Sequence, residues 1–227
     1  MGGKPPTCDP DAQPDPADRD YAWPRRARVV VLVSGRGSNL QSLIDARCPI
    51  ALALSNVPDT PALRRARAAG IPTHVIDHRA FPSRAAFDAA LAERIDRPER
   101  ADLVVLAGFM RVLGGDFTDR FAGRMINVHP SLLPAFPGLR THERALAAGA
   151  ATHGCTIHFV TQELDAGPVI ARARVPVRPN DSAASLAARV LEREHRILTR
   201  AVHWFVTGRL RLHDGEARLD GRRIGDD

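Results

Sequence analysis

The sequence predicts an α/β protein. It should hold one Rossmann-like, open, mainly parallel twisted sheet of about seven strands, with helices on both faces and a C-terminal hairpin. Three observations carry this. Short continuous apolar runs, the mark of strands buried on both faces, alternate with helical patterns along the chain. The first run ends in a glycine-bearing loop, "SGRGSN", that opens a helix. Near the end, Asp214-Gly215 sits between two alternating segments, a hairpin signal.

Each element has its own signature. Residues 1–26 are dominated by Pro, Asp and Gly without apolar periodicity, so a disordered leader is expected there, with one folded domain over 27–227. "ARVVVLVSG" reads as the first strand, and a helix follows from about Ser38. "IALALSN" is a second strand. "PALRRARAAG" is a helix with Pro61 at its start and Gly70 past its end. "THVID" is a third strand, and a helix is expected from about Ser83 to Ile95. "DLVVLAGF" and "RMINVHP" are the fourth and fifth strands, followed by a helix from about His142 to Ala148. "TIHFVTQ" is the sixth, and the alternating "VIARARVPV" reads as a seventh, at an edge. A long helix should run from about Ser182 to Val206, ahead of the hairpin.

Bulk properties bound the function. The 227 residues are 44% hydrophobic, with no apolar run long enough to span a membrane and no secretory signal, so a cytoplasmic place is expected. Three scattered cysteines, Cys8, Cys48 and Cys155, provide no disulfide framework. The net charge is +6, but 31 of the 32 basic residues are arginines spread along the chain, Lys4 being the only lysine. Nucleic-acid binding prefers a clustered basic face, whereas an anionic small molecule suits a modest positive bias.

In open sheets of this kind, ligands bind beyond the carboxyl ends of the strands. Four loops are expected at that edge. "SGRGSN", Ser34 to Asn39, suits an anion at a helix N-terminus. No lysine follows it, so it is not a Walker A loop. Leu40 stands where a dinucleotide fingerprint needs glycine, and Ser55-Asn56 ends the second strand without an acid. A single phosphate monoester fits best. "AGFMRVL" brings Gly108 after the fourth strand, where close approach of a ligand and a plain core-to-helix junction are equally compatible. In "INVHPSLLPAFPG", Asn127 and His129 share one strand face, and a proline-stiffened apolar loop follows. An amide can meet a developing oxyanion, and an imidazole can move a proton. In "TQELDAGPVI", Asp165 sits in a turn, from which it could orient His129 and favour its charged form.

Asn127, His129 and Asp165 include no nucleophile. Ser131 adjoins them without a Gly-x-Ser-x-Gly elbow. The set suits a reaction whose substrate brings the nucleophile, such as an amine attacking an activated carbonyl. No metal is expected: His153, Cys155 and His158 are close in sequence, but His158 should face away from the other two.

"VLVSGRGSNLQSLID", "VVLAGFMRVL", "INVHPSLLPAFPG" and "HFVTQELDAGPVI", in this order and spacing, resemble the formyltetrahydrofolate-using formyltransferases. Within them the chain is similar to the glycinamide ribonucleotide formyltransferases of de novo purine (IMP) synthesis, over essentially Ala27 to Ile224. The resemblance implies a formyltransferase catalytic domain over 27–227, with 10-formyltetrahydrofolate and glycinamide ribonucleotide as small-molecule substrates. It implies Asn127, His129 and Asp165 as catalytic residues. It places Gly37, Ser38 and Asn39 on the substrate phosphate and Glu194 on the ribose hydroxyls. For the folate it implies Arg84, the run Met110, Arg111, Val112 and Leu113, then Asn127, and the run Thr161, Gln162, Glu163, Leu164 and Asp165. Gln162 departs from the acid that many relatives carry.

Formyltetrahydrofolate hydrolysis, with water as nucleophile, is the alternative within enzymes; those relatives carry an additional N-terminal regulatory domain. A methionyl-tRNA formyltransferase would need a further RNA-binding domain. A noncatalytic phosphoribosyl-binding protein would use the glycine loop but not the trio. The sequence leaves oligomeric state open, a homodimer included.

Overall fold

The computed structural model describes residues 21–97 and 100–225. Its elements are β1 (Val29–Val33), α1 (Ser38–Asp45), β2 (Ile50–Ser55), α2 (Pro61–Ala68), β3 (Thr73–Val75), α3 (Arg84–Asp96), β4 (Leu103–Leu106), α4 (Gly115–Arg120) and β5 (Met125–His129). There follow α5 (Thr141–Ala147), β6 (Thr152–Phe159), β7 (Val169–Pro176), α6 (Ala183–Val206), β8 (Leu210–His213), β9 (Glu216–Leu219) and β10 (Arg222–Arg223).

Seven strands form one sheet in the order β3-β2-β1-β4-β5-β6-β7. The first five run parallel, and β6 and β7 add antiparallel to that edge. β7 is an edge strand, as its alternating pattern predicts.

The apolar runs explain the layering. In β1, Val29, Val31 and Val33 pack with Leu40 and Leu43 of α1 and Leu198 and Val202 of α6. Val30 and Leu32 face the other way, onto Phe87 and Leu91 of α3 and Phe117 of α4. Strict burial on both faces is why the run has no polar alternation. Helix starts follow their caps. The Thr60 side chain accepts from Leu63 N ahead of Pro61, Ser83 accepts from Ala86 N, and Ser182 and Ser185 form a reciprocal capping pair.

The structure adds elements that the pattern hid. α4 is six residues long and opens on Gly114-Gly115, too short and too glycine-rich to show periodicity. β6 begins four residues before the expected "TIHF" run, at Thr152. The C-terminal hairpin gains β10 and forms a separate three-stranded sheet.

Residues 1–20 of the expected leader lie outside the described residues. The stretch just after them is packed: Trp23 donates from Nε1 to the Ala46 carbonyl (2.6 Å) and meets the His203 ring edge-on. The Tyr21 ring meets the same imidazole at a tilt of 47°, centroids 4.8 Å apart. Among the described residues no helix is long and apolar enough to cross a membrane.

One expectation about the edges needs correction. β6 is antiparallel to β5, with Phe159 opposite Ile126 and Thr156 opposite His129. The carboxyl end of β6 therefore lies away from the edge where the other three loops gather. Asp165 reaches them because segment 160–168 folds back over the sheet. That return is tight. Phe159 N donates to Pro168 O, and a Cβ on Gly167 would lie 1.8 Å from Phe159 O, so only glycine fits there.

Candidate active site

β5 delivers the centre. Ile126 and Val128 point into the α6-side core, so Asn127 and His129 share the opposite face. Opposite them on β6 stand His158 and Thr156. The loop after Pro130 is pinned by Thr156, whose hydroxyl donates to Ser131 O and accepts from Leu133 N. Phe136 then sits at φ 54, a costly conformation for a bulky residue, and its carbonyl lies 3.1 Å from His129 Nε2. Asp165, also left-handed at φ 53, accepts from Gly138 N (2.8 Å) and places Oδ2 3.4 Å from His129 Nδ1. The expected trio is therefore assembled, with His129 and the Asp165 side chain almost wholly buried.

His158 is a residue that sequence reasoning assigned only to a rejected metal cluster. Its Nδ1 lies 2.9 Å from its neighbour's carbonyl, Phe159 O, which can only accept, so Nδ1 carries the proton. Burial lowers its pKa, against the pull of that carbonyl and of Asp165, and favours the neutral ring. Nε2 is then a lone-pair acceptor 3.1 Å from Asn127 Nδ2. The Asn127 amide is thereby oriented, with its second N–H left over. The signal for His158 lay in the register of β5 on β6, which no single-strand pattern contains. Ser131 is no hidden nucleophile: its hydroxyl is bound to the carbonyls of Ala135 and Phe136.

The first loop forms at the N-terminus of α1, which no side chain caps. Gly37 is left-handed at φ 74, and a Cβ there would lie only 2.6 Å from Ala62 Cα and Cβ of α2. Its glycine is thus demanded by the packing of α2 as well as by the turn. Asn39 Nδ2 donates to Glu194 Oε2 at 2.7 Å, joining two expected substrate residues that lie far apart in the chain. Burial pushes the Glu194 carboxyl upward in pKa, opposed by the Asn39 bond and by the charge of Arg36. Asn39 Oδ1 finds no donor among the described residues.

The expected folate residues fall into two groups. Arg84 opens α3 above a cleft of about 330 Å³ shared with Asp88, Gly114 and Phe117. Asp88 accepts from Gly114 N (2.7 Å), and burial raises its pKa against that bond and the charges of Arg84 and Arg111. Leu113 is buried, whereas Met110 and Val112 stand 62% and 53% exposed. In the second group, the Gln162 amide donates to both oxygens of Asp119 on α4 (2.9 Å each), and Leu164 is 57% exposed. Thr161 bonds to the Glu163 carbonyl. An acid at 162 would instead face the Asp119 carboxylate. Among the described residues no His/Cys/Asp/Glu group could hold a metal ion.

Residues 27–202 match the formyl transferase family. The chain belongs to that family. Phosphoribosylglycinamide formyltransferase of Escherichia coli (strain K12) is 49% identical over 202 residues, covering 86% of this chain and 95% of that protein. The trifunctional purine biosynthetic protein adenosine-3 of Homo sapiens is 43% identical over 194 residues, 83% of this chain and 19% of that larger protein. Among solved structures, the Coxiella burnetii phosphoribosylglycinamide formyltransferase in complex with CHES superposes with a TM-score of 0.84 at 47% identity, covering 88% of this chain and 96% of that one. The Rossmann-like sheet and its flanking helices are thus those of the formyl transferase family.

Proposed function

We propose that this chain is a phosphoribosylglycinamide formyltransferase of purine biosynthesis, moving the formyl group of 10-formyltetrahydrofolate onto the glycinamide amine. The observation that carries the reading is the Asn127–His129–Asp165 cluster built without a protein nucleophile. The amine attacks the formyl carbon and a tetrahedral oxyanion forms. Asn127, steadied by His158, offers its free N–H to that oxygen. His129, steadied by Asp165, offers a proton. The amine loses a proton, the bond from carbon to folate nitrogen breaks, and that nitrogen gains one. Asn39 Oδ1 and Glu194 suit ribose hydroxyl donors, and the open helix end at Gly37 and Ser38 suits the phosphate. Arg84 and Arg111 suit folate carboxylates, and the exposed Met110 and Val112 suit its ring face.

The test is a formyl-transfer assay. Tetrahydrofolate should appear only when glycinamide ribonucleotide is present, with one formylated product per turnover. Equal consumption without the ribonucleotide would establish hydrolysis instead, and no consumption would leave a binding protein.

A further inference from the structure

We infer that Ser34 is a positioning residue that couples the two substrate sites, tying the phosphate loop to the folate loop so that filling one tightens the other. This rests on the formyltransferase reading. Ser34 is the first residue past β1, the strand between β2 and β4. It bonds to the ends of both neighbours. Its amide donates to Gly108 O (3.1 Å), just past β4. Its hydroxyl lies 2.6 Å from Asn56 Oδ1, just past β2, and 2.8 Å from Met110 N. The Asn56 carbonyl oxygen has no hydrogen, so the one hydroxyl proton must go there. A lone pair is then committed to the Met110 N–H. Asn56 is itself 2% exposed and its backbone carbonyl lies 3.1 Å from His78 Nδ1, so the hydroxyl is aimed from a rigid base.

The two loops are otherwise built separately. On the phosphate side, Gly35 O accepts from Ala62 N, and Gly37 wedges on Ala62, ahead of Ser38 and Asn39. On the folate side, Gly108 is left-handed at φ 74, which turns its carbonyl to Ser34, and the exposed Met110–Val112 run follows. A ligand that orders either loop strengthens the Ser34 bonds and removes part of the ordering cost of the other. One neutral hydrogen bond supports a coupling of roughly two- to tenfold.

A mere structural staple would lower stability without changing that coupling. The affinity of a 5-deazafolate analogue should therefore be measured by calorimetry on the full chain, with and without saturating glycinamide ribonucleotide. Wild type should bind the analogue roughly two- to tenfold tighter with the ribonucleotide present. Ser34→Ala and Ser34→Val should bring that ratio near one, and Ser34→Thr, isosteric with Val but keeping the hydroxyl, should restore it. The Thr and Val pair keeps the test decisive if the Ala variant folds poorly. A wild-type ratio of one, or a full ratio in Ser34→Val, overturns the inference and leaves the activity standing. A wild type that binds neither ligand overturns the formyltransferase reading itself.

Discussion

Asp165 Oδ2 lies 3.4 Å from His129 Nδ1, while the opposite ring nitrogen, Nε2, faces the Phe136 carbonyl at 3.1 Å. Both nitrogens thus point at oxygen acceptors, one of which can never donate. The ring is thereby fixed in orientation, with a carboxylate at one nitrogen and a carbonyl at the other.

Asp165→Asn should therefore lower kcat by about 10² to 10⁴ while ligand affinities stay near normal. Asparagine tolerates the left-handed φ of 53 and still accepts from Gly138 N, so the loop survives and only the charge is lost. Steady-state kinetics beside binding titrations would decide. Near-normal turnover would reduce Asp165 to a turn residue.

His158→Phe should leave Asn127 Nδ2 without its acceptor. We expect kcat to drop about tenfold to a hundredfold, less than the loss of a whole oxyanion donor. KM should change little, and His158→Gln, which supplies an amide oxygen, should recover part of the rate. Equal rates in Phe and Gln variants would deny His158 a role through Asn127.

Much of this was legible in the sequence. β1 and β4 show as unbroken apolar runs because each alternate residue feeds a different core, and the trio shows as polar residues at the ends of such runs. His158 was not legible, because its partner is set by antiparallel register. Neither was the route of Asp165, which depends on β6 reversing direction and on Gly167 admitting the return. Glu194 is legible only by resemblance. On α6 it looks like a solvated charge, yet it is 7% exposed under Asn39.

Gln162→Glu should weaken docking of segment 160–168, since a carboxylate would replace an amide that now sits 2.9 Å from both Asp119 oxygens. The site is exposed, so a loss of about 0.5–1 kcal/mol in stability is expected, together with weaker binding of a folate analogue. Asp119→Asn in the same chain should reverse both effects. Failure of that rescue would place the cause elsewhere.

Trp23→Ala should destabilise the fold without touching turnover. The indole is half-buried against the α6-side core and bonded to Ala46 O. A cost of about 1–3 kcal/mol is expected, below that of a fully buried tryptophan, lowering Tm by about 2–4 °C for each kcal/mol in a chain of this size. An unchanged melting curve would mean that the packed stretch before β1 contributes nothing.

His153 gives the fold a pH dependence of definite sign. It is fully buried, its Nε2 lies 3.1 Å from His142 Nδ1, and the Phe136 ring packs on it edge-on. The Pro130 carbonyl favours its charged form, but burial first, then the charges of His142 and His129, bring its pKa from an ordinary 6.5 down to about 4. Between those values the unfolded chain binds more protons than the folded one, so stability rises with pH. The contribution is fully present above about 6.5 and is lost as the pH falls through about 4, with a slope of up to about 1.4 kcal/mol per pH unit for this one group. The buried His158 and the half-buried His142 and His195 are also pushed down by desolvation and add to the slope, whereas the raised Glu194 opposes it. Comparing urea unfolding of wild type and His153→Gln at about pH 7.5, above this window, and at about pH 6 and 5, inside it, isolates the single residue. Glutamine still offers His142 an acceptor and never titrates, so the variant should lose less stability on acidification than wild type. Parallel pH profiles in the two proteins would show that His153 stays protonated, or stays neutral, in folded and unfolded chains alike.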